Sequence, residues 1–119
     1  MQLKIDMCRA DGIMILECSG RIVFGEETAA LREQVKDLVA AGRKQIVLEL
    51  GSVSHIDSGG LGTLVGLYTT ARNAGGVIKL ANLTQKVRDL MQITKLVAVF
   101  EVYASEQEAI DAFRKTPAA

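Results

Sequence analysis

The chain has few of the residues that most catalytic and metal sites need. Its 119 residues include one histidine, two cysteines and no tryptophan. His55, Cys8 and Cys18 lack the short spacing of metal-ligand pairs, so we expect neither a metal site nor another cofactor. His55, Asp57 and Ser58 are the residue types of a hydrolase triad, but such close neighbours along one chain cannot easily converge as nucleophile, base and orienting group. We therefore expect that the chain is not an enzyme.

The sequence also lacks net charge and long apolar runs. Fourteen basic and 14 acidic residues give a formal net charge of zero, and the arginines are scattered. Binding to nucleic acid needs a basic excess or stripe, so we expect no nucleic-acid partner. No apolar stretch approaches the roughly 18 residues that span a bilayer, and residues 1–6 lack the apolar core of a signal peptide. We expect a cytoplasmic protein without membrane insertion, a monomer or weak homodimer, with reduced cysteines.

The size and composition that remain are those of one small domain. We interpret residues 1–119 as a single unit, with a frayed tail at 116–119 that contains the only proline. Nearly half of the residues are apolar and 4% are aromatic, which predicts an aliphatic core.

The first part of the chain predicts a hairpin followed by a helix. Apolar residues alternate with polar ones from Leu3, and Asp11-Gly12 is a turn signal, so residues 3–9 and 13–19 should pair, with Gly20 ending the second strand. A helix should then begin near Glu26 and end at Gly42.

The rest of the chain alternates strands and helices. The predicted elements are a strand at 46–50, a loop at 51–59, a helix at 60–73, a strand at 77–81, a helix at 85–92, a strand at 97–102 and a last helix after Ser105. With the hairpin, this order predicts an α/β fold with a mixed, mostly parallel sheet of about five strands and helices packed on it. In the helix at 60–73, the side chains predicted to face inward are Leu61, Leu64, Val65 and Tyr68.

The polar, glycine-rich segment before that helix is the best candidate for function. Asp57 is a candidate N-cap, and a helix N-terminus offers unsatisfied N–H groups and partial positive charge to an anion or an acidic partner. Gly62 and Gly66, four residues apart, have two readings: close packing of the helix on a neighbour, or close approach of another molecule. Glycine fingerprints for dinucleotides and for phosphate loops are absent, yet weak nucleotide binding at this helix terminus stays open.

The segment Ile46–Gly62 carries a family resemblance. It reads IVLELGSVSHIDSGGLG and resembles the strand and the Asp-Ser-Ser/Thr-Gly-Leu-Gly loop of STAS domains in the anti-sigma factor antagonist family. Further matches are Gly75-Gly76 before Val77–Ala81, and Val87–Met91 before Thr94 and Leu96. The resemblance extends over essentially the whole chain and implies the STAS fold.

The resemblance also implies how the protein works. Family members bind an anti-sigma factor that is a serine/threonine kinase and displace the sigma factor, and phosphorylation of the motif breaks the complex. The partner-binding residues carried over are Asp57, Ser58, Gly59, Gly60, Leu61 and Thr63, with the neighbouring Val23 and Phe24. Two other interpretations are an accessory subunit of a lipid-transport ATPase and a nucleotide-sensing module.

Two departures from the family pattern bear on the phosphorylation switch. Gly59 occupies the position of the phosphoacceptor hydroxyl, and Val23 replaces an acid that usually lies near it. Because glycine cannot be phosphorylated, the sequence predicts weak or absent phosphorylation. Ser58 is the only hydroxyl left in the Asp-Ser-Gly-Gly-Leu-Gly core and is the fallback acceptor.

Overall fold

The computed structural model describes residues 3–23 and 25–115, so Phe24 and the predicted tail 116–119 lie outside the described residues. The elements are β1 (Lys4–Ala10), β2 (Ile13–Ile22), α1 (Glu26–Ala40), β3 (Gln45–Ile56), α2 (Ser58–Asn73), β4 (Val77–Ala81), α3 (Gln85–Ile93), a 3₁₀ turn (Leu96–Ala98), β5 (Glu101–Tyr103) and α4 (Glu106–Lys115). Within these described ranges, no helix is both long and apolar enough to cross a membrane.

The five strands form one sheet in the order β1-β2-β3-β4-β5, and the predicted fold class is confirmed. β1 is antiparallel to β2, whereas β2, β3, β4 and β5 run parallel. Helices α1, α2 and α3 pack with the larger core on one face, and α4 covers a smaller core on the other. Successive side chains of a strand point to opposite faces of the sheet. On β2, Leu16 lies in the larger core and Ile15 in the smaller one.

The central strands are longer than predicted. β2 continues past Gly20 to Ile22, and β3 runs to Ile56, so a loop at 51–59 is wrong. The pairing of β2 with β3 shifts register between Glu17 and Ser19 and again between Gly20 and Arg21. Such bulges let strands continue after a break in the apolar pattern. They bring Val53 and Ile22 back into the core, and the strands carry the candidate segment to the edge of the sheet.

The predicted strand at 97–102 is also wrong. A left-handed residue, Lys95 with φ 62°, precedes the 3₁₀ turn, and β5 contains only three residues. Phe100 is buried against the ring of Tyr68, with centroids 5.4 Å apart in an edge-on arrangement. Because the chain forms a 3₁₀ turn here instead of a straight strand, the side chain of Phe100 is buried, whereas those of Val97 and Val99 are exposed.

The helix predicted at 60–73 forms, but it begins two residues earlier, at Ser58. Leu61 and Leu64 are buried as predicted, whereas Val65 and Tyr68 are half-buried against the same core. Leu67 and Ala71 complete the buried face. This packing holds α2 against the larger core.

Lys79 is a buried cation on β4. Its Nζ lies 2.9 Å from Oε2 of Glu101, 3.4 Å from the hydroxyl of Tyr103 and 4.7 Å from the ring centre of Phe113. A buried charge is tolerated when it is paired and hydrogen-bonded in this way. Lys79 therefore ties β5 and α4 to the centre of the sheet and has a structural role.

Three carboxylates lie close together at the start of α4. Glu106 lies near Glu17 on β2 and Glu49 on β3. Burial raises the pKa of Glu106 from 4.5 to about 6, and a hydrogen bond with Glu17 and the negative charges of Glu17 and Glu49 add to the effect. The folded state therefore binds the Glu106 proton more tightly than the unfolded chain does.

This shift predicts a pH dependence of stability. The contribution of Glu106 is fully present below pH 4.5 and is lost as the pH rises through about 6. Replacing Glu106 with Gln should flatten that part of the stability curve, because the side chain no longer takes on charge. Urea unfolding from pH 4 to 8 measures the effect, with Glu33→Gln, an exposed acid on α1, as the control. A curve for Glu106→Gln that keeps the wild-type slope, while Glu33→Gln also keeps it, would assign the dependence to other groups.

Candidate functional site

Asp57 starts the candidate site as the N-cap of α2, as predicted. Its backbone is extended, with φ −112° and ψ 178°, and its Oδ1 accepts a hydrogen bond of 2.7 Å from the N–H of Gly60. Its carbonyl accepts the first helical bond, from the N–H of Leu61 at 2.9 Å. The carboxylate therefore satisfies one of the free N–H groups of the helix and places negative charge at the positive end of its dipole.

The end of β2 holds this helix start in place. The N–H of Asp57 points to the carbonyl of Ile22 at 3.4 Å. A Cβ on Gly60 would lie only 1.8 Å from that same carbonyl oxygen. Glycine is therefore required at position 60, because α2 begins in direct contact with the backbone of β2.

The residues predicted to bind a partner divide into exposed and buried ones. Asp57 and Ser58 are exposed, and Ser58 is the first residue of α2. Gly59 and Val23 are partly buried. Gly60, Leu61 and Thr63 are buried, and Thr63 Oγ1 donates to the carbonyl of Gly59 at 3.1 Å. The side chains of Asp57 and Ser58 are thus accessible to solvent, while the buried residues pack beneath them in the interior of the domain.

A shallow groove of about 420 Å³ runs from this helix start along α2. Its lining residues are Arg32, Gly59, Gly62, Thr63 and Gly66. Arg32 comes from α1, so it was not part of the site predicted from sequence. It directly follows the buried Leu31 on the amphipathic helix, and no motif in the sequence marks it.

Two of the glycines in this groove, Gly62 and Gly66, are not explained by packing. A Cβ on Gly62 or Gly66 would have no atom within 4 Å. The interpretation that Gly62 and Gly66 allow close packing of α2 on a neighbouring element is therefore wrong. Gly60 is the glycine that close packing requires. Gly62 and Gly66 leave an exposed strip of helix backbone beside Ser58 and Asp57.

Two further polar residues stand beside the helix start, at the ends of the long strands. Arg21 on β2 pairs in register with His55 on β3. His55 is exposed, and its Nδ1 lies 3.1 Å from Ser54 Oγ, which donates to the carbonyl of Gly20 at 3.0 Å. His55 belongs to β3, so it does not lie in a loop as the predicted loop at 51–59 required.

The STAS domain family model matches residues 4–109. The chain belongs to the STAS domain family. It is similar to the anti-sigma-B factor antagonist of Bacillus subtilis, with 28% identity over 92% of this chain and 99% of that protein. The family predicted from the segment 46–62 is thereby confirmed.

Solved structures agree with the fold. An anti-sigma factor antagonist from Mycobacterium paratuberculosis has a TM-score of 0.82 and 24% identity, and the match covers 96% of each chain. The anti-sigma factor antagonist SpoIIAA in its unphosphorylated form has a TM-score of 0.71 and 19% identity, over 96% of this chain and 99% of that one. The phosphorylated form of the Bacillus protein SpoIIAA has the same TM-score and 20% identity, over 93% and 98% of the two chains.

The glycines of α2 provide a test of this geometry. Gly60→Ala should destabilise the fold by about 2 kcal/mol, because the new Cβ collides with the Ile22 carbonyl. Gly62→Ala is the matched control and should stabilise it by up to about 1 kcal/mol through helix propensity, because its Cβ meets only solvent. Urea unfolding of the two variants measures both effects. Equal stability changes for the two alanines would contradict the close contact between α2 and β2.

Proposed function

We propose that the chain is an anti-sigma factor antagonist, a regulatory binding protein rather than an enzyme. In this proposal it binds an anti-sigma factor of the serine/threonine kinase class and thereby frees a sigma factor. The observation that carries the proposal is similarity over nearly the whole length to the Bacillus subtilis protein of that name. This role needs no cofactor and would place the protein in the cytoplasm.

We propose the start of α2 and its groove as the contact surface. Asp57 and Ser58 supply exposed polar side chains, and Arg32 supplies a cation at the wall of the groove. Val23 extends the surface beyond the end of β2. Phe24 is included because it directly follows Val23 in the sequence. Gly60, Leu61 and Thr63 act by holding this surface in shape.

The exposed glycines support a binding role for the groove. Glycine inside a helix costs about 1 kcal/mol relative to alanine. Neither helical packing nor a positive φ requires glycine at positions 62 and 66. Because these two glycines have no side chains, another molecule has room to approach the helix backbone. A partner that lies in the groove would use this space.

A side chain in the groove should therefore separate binding from stability. Gly62→Gln should keep or raise the stability of the domain, because glutamine favours a helix and the site is open. It should weaken binding to the anti-sigma factor at least about tenfold, a loss of about 1.4 kcal/mol, because it fills the groove. Isothermal titration with the purified anti-sigma factor measures the affinity, and urea unfolding measures the stability.

Ala40→Gln is the control for this variant. It adds the same side chain at an exposed site on the last residue of α1. It should leave affinity unchanged. Unchanged affinity for Gly62→Gln would move the interface away from the groove, and no binding by the wild-type chain would reject the proposed function itself.

The proposal for regulation rests on the two residues that begin α2. Gly59 has no hydroxyl to accept phosphate, and Ser58 is exposed at the first helical position. A phosphate group at a helix N-terminus interacts with free N–H groups and adds charge to the surface, so it can reverse binding. We propose that this chain keeps the docking surface but has lost the usual acceptor.

Incubation of the purified pair with MgATP tests this regulation. We expect wild type to gain little or no phosphate, and ATP not to reverse binding. Gly59→Ser should restore phosphorylation, which intact-mass and peptide mass spectrometry would detect. Stoichiometric phosphate on wild type that disappears in Ser58→Ala would instead show a switch displaced by one residue.

A further inference from the structure

Arg32 is the one charged residue that lines the groove along α2. Three of the other lining residues are glycines, which have no side chains. The remaining one is Thr63, whose hydroxyl already donates to the carbonyl of Gly59 at 3.1 Å. The open surroundings of Gly62 and Gly66 leave room for another molecule, so selection between molecules falls to the guanidinium of Arg32.

The guanidinium of Arg32 forms no ion pair within the described part of the chain. Arg32 is exposed on α1, and the described basic residues that do form ion pairs are Lys4, Lys79 and Arg114. A helix turns by about 100° per residue. The acidic positions of α1 therefore all lie about 100° or more around the helix axis from position 32; these are positions 26, 27, 33 and 37.

The other charges at the two walls of the groove leave it positive. Lys36 is exposed four residues after Arg32, on the same side of α1, and adds a second cation. The sequence of α2 contains no acidic residue. Asp57 precedes α2, and its Oδ1 is bonded to the N–H of Gly60 at 2.7 Å. The groove thus has an unpaired cation at its wall.

We propose that Arg32 selects the partner segment that enters the groove, by pairing with a carboxylate on that segment. The segment belongs to the anti-sigma factor, so this pairing rests on the proposed function. A guanidinium matches a carboxylate with two parallel N–H···O bonds, which give orientation as well as affinity. Because Gly62 and Gly66 have no side chains, the segment can lie close to α2 while its Asp or Glu reaches Arg32.

The lining of the groove disfavours a nucleotide as its occupant. A guanidinium also binds phosphate, as it does carboxylate. However, sites for small molecules bury most of the ligand among apolar and aromatic side chains. The lining of this shallow groove contains no aromatic and no large apolar side chain. A protein segment that carries a carboxylate fits it better.

Substitutions of Arg32 test the pairing by isothermal titration with the purified anti-sigma factor. Arg32→Gln should weaken binding at least about tenfold, which is about 1.4 kcal/mol, because the charge is lost. Arg32→Glu should weaken it further through repulsion. The affinity of wild type should also fall more steeply with added NaCl than that of Arg32→Gln. Urea unfolding should show unchanged stability for both variants, since Arg32 is exposed.

Arg43→Gln and Arg43→Glu are the matched controls. Arg43 is an exposed arginine between α1 and β3, so it lies before the start of β3, whereas α2 follows the end of β3. The two control variants change the net charge by the same amounts as the Arg32 variants. Both should leave the affinity for the anti-sigma factor unchanged.

A charge exchange identifies the carboxylate of the partner. Each Asp and Glu of the anti-sigma factor is replaced singly by Lys, and each variant is titrated against wild type and against Arg32→Glu. One of these variants should bind wild type more weakly and should bind Arg32→Glu at least about tenfold more tightly than the unchanged partner does. A purely structural role of Arg32 would not produce this reciprocal rescue.

Several results would overturn the pairing. Unchanged affinity for Arg32→Gln and Arg32→Glu, with weaker binding by Gly62→Gln, would show that the groove is used without an ion pair, and the proposed function would stand. The absence of reciprocal rescue by any partner variant would also reject the pairing. Binding of MgATP or MgGTP that Arg32→Gln abolishes would assign Arg32 to a phosphate. No binding of the anti-sigma factor by the wild-type chain would reject the proposed function, and the pairing with it.

Discussion

The contact between the end of β2 and the start of α2 determines the form of the candidate site. The Ile22 carbonyl lies opposite the N–H of Asp57, and it is so close to Gly60 that no side chain fits between them. Asp57 then caps the helix from the other side through the N–H of Gly60. One glycine, one carboxylate and one backbone carbonyl thus fix the direction of α2. With that direction fixed, Ser58, Gly59 and Gly62 are held at the surface by a helix whose opposite face is buried.

The glycines of α2 therefore have two different physical roles. Gly60 is required by the fold, because any larger residue meets the backbone of β2. Gly62 and Gly66 are not required by the fold, since their surroundings are open. A residue that weakens a helix without a structural reason is expected at functional sites. There, a lower stability of the helix is tolerated because a binding partner needs to reach its backbone. This difference links the packing of α2 to the proposal that its groove receives a partner.

Most of the architecture could be predicted because the apolar pattern is strong and the turn residues are standard. The hairpin around Asp11-Gly12, the strand at 77–81 and the cap at Asp57 follow from local rules that tertiary contacts reinforce. The failures arise where tertiary contacts outweigh local pattern. Bulges carry β3 through Gly51 and Ser52, and burial of Phe100 against Tyr68 replaces a strand with a 3₁₀ turn. Arg32 could not be predicted, because only the packing of α1 on α2 brings it to the groove.

We propose that the start of α2 and its groove form the surface that binds an anti-sigma factor. Amide hydrogen exchange of the chain, alone and in complex with the purified anti-sigma factor, tests this claim most directly, because it locates protection along the sequence without any substitution. We expect added protection in segments 21–23 and 57–66 and around Arg32, with exchange at 93–99, at the far end of the domain, unchanged by this partner. Protection elsewhere, with exchange in segment 57–66 the same in the free and bound chains, would contradict it.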